Sequence, residues 1–385
     1  MSLVFTNDKL YNAYLQCRER KRNTINALRF EIEKEKRLYE LLRELRNKTY
    51  KISRHVCFVV KTPNIREIFA ADFRDRVVHH LLCNEINDLF EKQFINNSFA
   101  NRKGKGTHAA VLQLIRYVQQ TPGGYYLKLD ISSFFCSISR HILYQLVSKP
   151  IEACEKSSSW KSDVLWLCQM IIFHDPCSNY AFKGSVADRC LVSKSKSLFY
   201  SNGKGLPIGN LTSQFFSNVY LNGVDHFITE TLGCQRYLRY VDDLVIIDAD
   251  KNVLKAMIRP ISDYLEKTLD LRIKQSKTLL LPIRKGINYL GYFVKPTHVL
   301  VRQAIVGRLK NKLRQMAQLP VPDYKKVQRR VAMINSYFGH FRRARTFQLR
   351  RDMVENHFGN LRTYLEPQKE YLFVRPKRPR PRPAD

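Results

Sequence analysis

The sequence predicts an α+β fold, because short β-rich runs and amphipathic helical patterns both occur along the chain. Residues 54–61 and 126–130 have the composition of strands, whereas apolar residues recur at helical spacing within 77–94 and 109–118. The chain has 385 residues and 44% hydrophobic content, which is enough for a substantial core. This length allows one large domain or two to three smaller ones.

Residues 1–50 are predicted to form a basic helical extension. Leu38, Leu41, Leu42 and Leu45 recur at helical spacing, and Lys and Arg residues lie between and before them. Such a helix can pack through its apolar face and contact phosphate through its basic face. A solvated charged face is the alternative interpretation of the same pattern.

The next segment contains a basic loop between two helices. A turn at Pro63 and Asn64 follows the first strand, and the helix 77–94 comes after it. Residues 101–107 are basic and contain two glycines, and they lead into the helix 109–118. Glycine lets the backbone approach an anion closely, and a helix N-terminus offers free amide donors. The loop is therefore a candidate phosphate-binding site, with a plain surface turn as the alternative.

Two adjacent acids interrupt an apolar run in the middle of the chain. Asp242 and Asp243 lie within residues 238–247. Burying an ionised group costs several kcal/mol unless a partner or metal compensates it, so we expect a hairpin turn that presents both acids to a cation. Asp130 ends the run 126–130, and a neighbouring strand could bring it close to Asp242. Three such acids would hold two Mg²⁺ ions roughly 3.5–4 Å apart for an in-line phosphoryl displacement.

The order of these motifs resembles that of the reverse transcriptase family from about residue 51 to residue 294. Three segments resemble the first, second and third palm motifs of that family, namely 126–135, 205–214 and 240–243. The fourth and fifth motifs are resembled by Lys277 with Thr278 and by residues 289–293. The resemblance implies a right-hand polymerase fold with fingers, an antiparallel-sheet palm and a helical thumb.

The second motif resembles one branch of this family in particular. Ile208 and the pair Ser213 and Gln214 depart from the Gln-Gly and Ser-Pro forms that are common in intron and retron enzymes. The same departures are similar to the reverse transcriptases of diversity-generating retroelements. Those enzymes copy a template RNA with errors concentrated at adenines, and the cDNA then diversifies a target gene.

The resemblance implies a division of the chain into consecutive segments. These are a basic helical extension at 1–50, fingers at 51–125, a palm at 126–295 with an insertion around 148–204, a helical thumb at 296–366, and a basic proline-rich tail at 367–385. Fewer than 100 residues follow Phe293, so we do not expect a thumb together with an RNase H domain.

The resemblance also implies roles for individual residues. The catalytic candidates are Asp130, Asp242, Asp243 and Lys277; the dNTP-binding candidates are Ile131, Phe135, Arg66, Lys61, Ile208 and Gly209; the nucleic-acid-binding candidates are Arg102, Lys105, Gln214 and Tyr240; the metal-binding candidates are Asp130, Ile131, Asp242 and Asp243. In this assignment Lys277 protonates pyrophosphate or pairs with a phosphate, Phe135 excludes a 2′-hydroxyl, and the apolar Ile208 loosens selectivity.

Each of these roles has a simpler alternative. Asp243 is either a weak metal ligand or a turn residue, and Lys277 is otherwise a solvated side chain. Phe135 is otherwise a core aromatic residue, and Ile208 otherwise packs its own loop.

The charge of the chain indicates a polyanionic partner. Lys and Arg number 66 against 34 acidic residues, a formal net charge of +32. A compact protein with this charge repels itself unless a polyanion neutralises it, so nucleic acid is the expected partner and a membrane surface is the alternative. No apolar run approaches the ~20 residues that span a bilayer, and no secretion signal is recognised.

The cysteines indicate a reducing compartment. Nine cysteines are scattered without paired spacing, and we expect free thiols in a reducing cytoplasm. The resemblance to retroelement enzymes implies that the protein is encoded by a bacterium or a phage. Cys168, His174, Cys177 and Cys190 have the side chains that zinc prefers, but they lack the usual spacing of a zinc site.

The resemblance implies an RNA-directed DNA polymerase. It would copy template RNA into cDNA from dNTPs, using two Mg²⁺ ions or Mn²⁺ in their place, with a small basic oligomeric accessory protein as partner. A bacterial reverse transcriptase of a defence or unclassified lineage is one alternative. A non-catalytic RNA-binding protein with a polymerase-like fold is an alternative of another class.

Overall fold

The computed structural model describes residues 4–19, 24–62, 64–320 and 323–377, and it confirms the α+β fold. In chain order the helices are α1 (Asn7–Arg18), α2 (Ile25–Ile32), α3 (Lys34–Arg46), α4 (Phe73–Glu91), α5 (Thr107–Gln120), α6 (Phe134–Ser137), α7 (Arg140–Ala153), α8 (Ser158–Phe173), α9 (Val186–Cys190), α10 (Leu211–His226), α11 (Lys251–Leu269), α12 (Gln303–Ala317), α13 (Tyr324–Phe341) and α14 (Phe347–His357). The predicted helices 77–94 and 109–118 correspond to α4 and α5.

The strands form small sheets. They are β1 (His55–Val60), β2 (Arg66–Ala70), β3 (Tyr125–Asp130), β4 (Tyr180–Phe182), β5 (Tyr237–Tyr240), β6 (Asp243–Asp248), β7 (Leu279–Pro282), β8 (Ile287–Tyr289), β9 (Tyr292–Val294), β10 (Val299–Val301), β11 (Leu365–Gln368) and β12 (Phe373–Pro376). The strand orders are β2-β1-β4, β5-β6-β3-β7, β10-β9-β8 and β11-β12. Pro63, which belongs to the predicted turn between β1 and β2, lies outside the described residues.

The chain divides into two compact units. Unit 1 consists of Met1–Gly104, Leu127–Ile246 and Asn252–Leu279, and unit 2 consists of Lys105–Tyr126, Ile247–Lys251 and Leu280–Asp385. This division differs from the segment boundaries predicted above, since residues 105–125 group with the C-terminal residues and not with the rest of the predicted fingers.

The N-terminal helices are part of the core of unit 1. The periodic leucines Leu41, Leu42 and Leu45 are buried on α3, as their spacing predicts. Helix α1 packs against α4 and buries Leu10, Ala13, Tyr14 and Cys17. The described part of residues 1–50 is therefore helical, as predicted from the sequence, and packs within unit 1.

The segment 148–204, whose structure the sequence does not indicate, contributes to the sheet formed by β1 and β2. Strand β4 pairs in parallel with β1, with His55 opposite Tyr180. Glu67 on β2 is buried, and its carboxylate accepts hydrogen bonds from the Ser197 hydroxyl at 3.0 Å and the Leu198 amide at 2.9 Å. These contacts join residues that are about 130 positions apart, so sequence periodicity could not reveal them.

Unit 2 contains helices α12 to α14 and a C-terminal hairpin that the sequence does not predict. Strands β11 and β12 pair with Leu365 opposite Pro376, and α13 packs on β12. The Asn335 side chain accepts from the Val374 amide at 2.7 Å and donates to the Val374 carbonyl at 2.9 Å. The predicted basic proline-rich tail at 367–385 therefore begins within this hairpin, and residues 378–385 lie outside the described part.

Two further features bear on where the protein can act. In the described residues, no helix combines the length and the apolar character needed to cross a bilayer. Among the described residues no disulfide is formed, and Cys17, Cys57, Cys83, Cys168 and Cys234 are buried.

Candidate active site

The adjacent acids lie at the turn between β5 and β6. Tyr240 pairs with Asp243, so Val241 and Asp242 form the two-residue connection. Val241 has φ +56°, a left-handed conformation that is sterically unfavourable for a β-branched residue. The Val241 carbonyl accepts a hydrogen bond from Nη1 of Arg239 at 3.0 Å, which holds the strained turn in place. The hairpin predicted around Asp242 is thus present.

Arg239 is fully buried and is absent from the predicted site residues. Its Nε and Nη2 donate to the two carboxylate oxygens of Asp225 at 2.7 and 2.6 Å. It also donates to Asn218 at 3.2 Å and to the Ser98 hydroxyl at 3.1 Å, while the Tyr237 hydroxyl donates to Asp225 at 2.6 Å. Removing one partner of a buried ion pair typically costs about 3–5 kcal/mol. The network therefore positions the turn rigidly from inside the fold.

The structure brings Asp130 together with the hairpin turn. Asp130 ends β3, and β3 lies next to β6 in the sheet. Burial first, and then the nearby charges of Asp130 and Asp243, raise the pKa of Asp242 to about 6, whereas Arg66 opposes the shift. The three acids are therefore close enough to repel one another, and Arg66 is near enough to lower the pKa of Asp242.

Two lysines pair with two of the acids. Lys277 Nζ lies 2.8 Å from Asp130 Oδ2, and Lys128 Nζ lies 2.9 Å from Asp243 Oδ2. Burial raises the pKa of Asp243, and Lys128 counteracts this effect. Asp242 makes no ion pair with any other described residue. Lys128 was not predicted as a site residue, although it lies on β3 two positions before Asp130.

The acidic side chains of the described residues are not arranged around a single metal position. Among the described residues, no group of three or more Asp, Glu, His or Cys side chains is positioned to hold one metal ion. The expectation that Asp130, Asp242 and Asp243 jointly surround the metals is therefore not met by these side-chain positions, because Lys128 and Lys277 engage two of the acids. The donor chemistry still fits a hard divalent cation, since Asp243 Oδ1 is buried and has no hydrogen-bond partner.

Backbone pairing explains why Lys277 lies at this site. Ile131 forms an isolated antiparallel bridge with Ile273. On either side of it, the Lys274 amide donates to the Asp130 carbonyl at 2.7 Å and the Ser132 amide donates to the Arg272 carbonyl at 2.8 Å. The 3₁₀ turn Gln275–Lys277 follows directly, so Lys277 is held beside Asp130.

The loop that carries Ile208 is attached to β2. The Phe69 amide donates to the Ile208 carbonyl at 3.0 Å, and the Ala71 amide donates to Asn210 Oδ1 at 3.2 Å. Gly209 has φ +125°, and a Cβ there would lie 3.0 Å from Cγ2 of Ile68. Only glycine fits this close approach without strain. These hydrogen bonds and the close approach at Gly209 therefore fix the backbone of Ile208 against β2.

The remaining dNTP-binding candidates lie in unit 1. Phe135 is half-buried and lies on the short helix α6, not on a strand, and its carbonyl accepts from the Leu206 amide at 2.8 Å. This bond joins the segment after Asp130 to the Ile208 loop. Lys61 is exposed and forms an ion pair with Asp188 at 2.6 Å.

The nucleic-acid-binding candidates differ in exposure and in location. Gln214 is exposed on the first turn of α10, and Tyr240 is half-buried beside the acidic turn. Lys105 belongs to unit 2.

Arg102 does not have the predicted role in this structure. Its side chain is only 6% exposed and pairs with Glu91 at 2.8 Å. It also donates to the carbonyls of Ile95 and Ser98 at 2.6 and 2.9 Å. The guanidinium is thus used to stabilise the chain after α4, and it is not available to phosphate.

Comparison with known proteins identifies one family. The chain matches the family described as "Reverse transcriptase (RNA-dependent DNA polymerase)" over residues 59–294. It is 23% identical over 277 residues to Protein YkfC of Escherichia coli (strain K12), covering 62% of this chain and 66% of that protein. It is 20% identical over 297 residues to the putative COX1/OXI3 intron 2 protein of Saccharomyces cerevisiae, covering 68% of this chain and 34% of that protein. The chain thus spans less than two thirds of either relative.

Two solved structures are also similar. Telomerase from Candida albicans, in complex with a fragment of telomeric RNA, has 12% identity and a TM-score of 0.44, covering 68% of this chain and 51% of that chain. Apo telomerase from Candida tropicalis has 12% identity and a TM-score of 0.46, covering 68% of this chain and 52% of that chain.

Replacing Asp242 tests whether its ionised carboxylate destabilises the native state. The native pKa of about 6 lies above the ordinary value of 3.8, so the native state binds the proton more tightly than the unfolded chain does. Ionisation of Asp242 therefore lowers the free energy of unfolding. This effect is absent below about pH 4 and complete above about pH 6. We expect Asp242→Asn to raise the free energy of unfolding at pH 7.5 by up to about 3 kcal/mol in EDTA, and to have little effect at pH 4.

Urea denaturation followed by circular dichroism measures this difference. Asp263→Asn is the matched control, since Asp263 is 47% exposed and its contact with Lys267 is 3.6 Å long; we expect a change within about 0.5 kcal/mol. A less stable Asp242→Asn variant at pH 7.5 would show that the carboxylate stabilises the fold and that the interpretation is wrong.

Proposed function

Because the chain belongs to the reverse transcriptase family, we propose that it is an RNA-directed DNA polymerase that copies an RNA template into cDNA from dNTPs. The observation that carries the proposal is the proximity of Asp130, at the end of β3, to the Asp242 and Asp243 turn on the neighbouring strand. Three mutually repelling carboxylates have no evident structural purpose, whereas a polymerase needs concentrated negative charge to hold divalent cations. The net charge of +32 supports a nucleic-acid partner.

We propose Mg²⁺ as the cofactor, as two ions, with Mn²⁺ able to replace it. Asp130 and Asp242 would hold the ions together with the Ile131 backbone carbonyl, and Asp243 would be a weaker ligand. When bound, the ions supply charge neutralisation for the attacking and leaving oxygens. Their binding requires Lys277 to release Asp130, because the ammonium contacts the carboxylate at 2.8 Å.

The released Lys277 has a second use in this proposal. Its side chain is 56% exposed, so it can turn from Asp130 toward a departing pyrophosphate and donate a proton or pair with a phosphate oxygen. Arg66, which influences the pKa of Asp242, would bind the triphosphate, and Lys61 would approach it after leaving Asp188. Phe135 would pack against the sugar and exclude a 2′-hydroxyl.

We further propose that the enzyme copies its template with errors at adenines and that the cDNA diversifies a target gene. The support is Ile208, which has no polar side-chain atom and cannot hydrogen-bond to a base, on a loop whose backbone is bonded to β2. Gln214 and Tyr240 would contact nucleic acid beside this loop. A small basic oligomeric accessory protein and a cytoplasmic location belong to the same proposal, and nine cysteines that form no disulfide among the described residues agree with a reducing compartment. A defence-related reverse transcriptase remains the second candidate, favoured if no template and variable repeats accompany the gene.

Primer extension on an RNA template tests the polymerase activity. With Mg²⁺ or Mn²⁺, the parent should extend the primer, and Asp130→Asn and Asp242→Asn should each lose about 10³-fold or more in rate, since several kcal/mol of charge stabilisation disappear. Asp263→Asn should retain full activity, and RNA affinity should be equal in all four proteins. Activity retained by Asp242→Asn contradicts the assigned site, and an inactive parent that still binds RNA favours the non-catalytic alternative.

Sequencing of the cDNA tests the diversifying role. Ile208→Gln should lower misincorporation opposite template adenine by roughly 2–10-fold, the effect of one added hydrogen bond of ordinary strength. Ile208→Leu is the matched control, because it keeps an apolar side chain of the same size and should leave the error frequency unchanged. Equal adenine errors in the parent and in Ile208→Gln would refute the role of Ile208 in fidelity.

A further inference from the structure

A polar pocket of about 430 Å³ in unit 1 lies beside the segment that follows Asp130. Its walls come from the turn after β3, from residues of the 148–204 segment, and from the chain just before Ile273. It is lined by three cations, Lys194, Lys204 and Arg272, and by a single acid, Asp270, together with six serines and Tyr200. No element of the proposed mechanism uses these side chains.

The positive charge of this pocket is only partly neutralised. Lys204 pairs with Asp270 at 2.5 Å. Lys194 lies over the Tyr200 ring, 5.6 Å from its centroid, and forms no ion pair within the described ranges. Arg272 is 82% exposed and makes only a long contact of 3.5 Å with Glu266, which lies outside the pocket lining. Two cations therefore face the pocket without a close anionic partner.

The six serine hydroxyls of the pocket fall into three groups, and one of them, Ser195, lies 3.5 Å from the Ser193 hydroxyl. Ser137, Ser197 and Ser201 already donate to protein oxygens. In contrast, the hydroxyls of Ser132 and Ser133 make no hydrogen bond to other described residues. Ser133 has φ +46°, a left-handed conformation within the turn that directs the chain from β3 into α6. The donors that remain available are thus those nearest Asp130.

The pocket is physically joined to the acidic site. Ser132 is two residues after Asp130, and its amide donates to the Arg272 carbonyl at 2.8 Å. The adjacent amide of Lys274 donates to the Asp130 carbonyl at 2.7 Å. The same short backbone ladder therefore forms one wall of the pocket and supports the first aspartate.

We propose that this pocket binds the polyphosphate chain of a nucleoside triphosphate or inorganic pyrophosphate, as an accessory site next to the catalytic acids. Lys194 and Arg272 would pair with phosphate oxygens, and Ser132 and Ser133 would donate to them. Tyr200 is 59% exposed and offers a face on which a base can stack. The volume fits one nucleotide and is too small for the ~4–16 nucleotides that a single-strand site accommodates. Its place in the reaction, as an entry or exit site, rests on the proposed polymerase function.

Calorimetry with pyrophosphate tests the site directly. The titration uses the full chain in EDTA at about 150 mM salt, so that the catalytic acids repel the ligand and diffuse surface charge is screened. The double variant Lys194→Glu with Arg272→Glu should weaken pyrophosphate binding at least about 10-fold, because two charge-assisted contacts become repulsive. The matched control is Lys196→Glu with Lys267→Glu, which changes the net charge equally outside the pocket and should weaken binding less than about 2-fold.

Equal weakening in the two double variants, or no binding by the parent, would overturn the proposal. A loss of RNA affinity in the pocket variant with unchanged pyrophosphate affinity would also overturn it, in favour of a nucleic-acid contact. The binding measurement needs no turnover, so its outcome is independent of whether the chain polymerises DNA.

Two further measurements distinguish the sources of the phosphate. If a nucleotide is the ligand, Tyr200→Ala should weaken binding of dATP but not of pyrophosphate. If pyrophosphate is the ligand, Tyr200→Ala should affect neither. Primer extension with the double variant Lys194→Glu and Arg272→Glu gives the second measurement. If a nucleotide is the ligand, this variant should have a several-fold higher KM for dNTP at unchanged kcat. If pyrophosphate is the ligand, the variant should show weaker product inhibition by pyrophosphate. Unchanged KM and unchanged inhibition would overturn the link to the reaction.

Discussion

The buried ion pair between Arg239 and Asp225 is the interaction on which the acidic turn depends. Both side chains are fully excluded from solvent, and the guanidinium that binds Asp225 also donates to the Val241 carbonyl. Val241 is held in a left-handed conformation that a β-branched residue does not adopt by preference. The strain is tolerated because the network beneath it is satisfied, and Asp242 is thereby presented at the end of a hairpin whose strands are otherwise apolar.

Placing three acids together carries an electrostatic cost. Burial raises the pKa of Asp242 and of Asp243, and the negative charge of Asp130 also raises both pKa values. Lys128 and Lys277 offset part of this repulsion through contacts of 2.9 and 2.8 Å. The lysines differ in what they permit, since Lys128 is 18% exposed and Lys277 is 56% exposed. Lys128 is thus a largely buried partner of Asp243, whereas Lys277 is exposed enough for the proposed divalent cation to displace it from Asp130.

Local patterns allowed much of this arrangement to be predicted. Helical spacing indicated α4 and α5, and the position of Asp242 and Asp243 within an apolar run indicated a hairpin. Contacts between distant residues could not be predicted in this way. Tertiary geometry decides the parallel pairing of β4 with β1 and the ion pair between Arg102 and Glu91. Proline and charge suggested only a basic tail from residue 367, and they gave no sign that Asn335 binds the Val374 backbone and stabilises a hairpin there.

Diffraction from crystals soaked in Mn²⁺ and recorded at the manganese absorption edge tests most directly whether these acids form a cation site. The account predicts anomalous density within bonding distance of both Asp130 and Asp242, with Lys277 displaced from Asp130 and the contact between Lys128 and Asp243 intact. Manganese bound only elsewhere on the chain, with Lys277 still paired to Asp130, would contradict it.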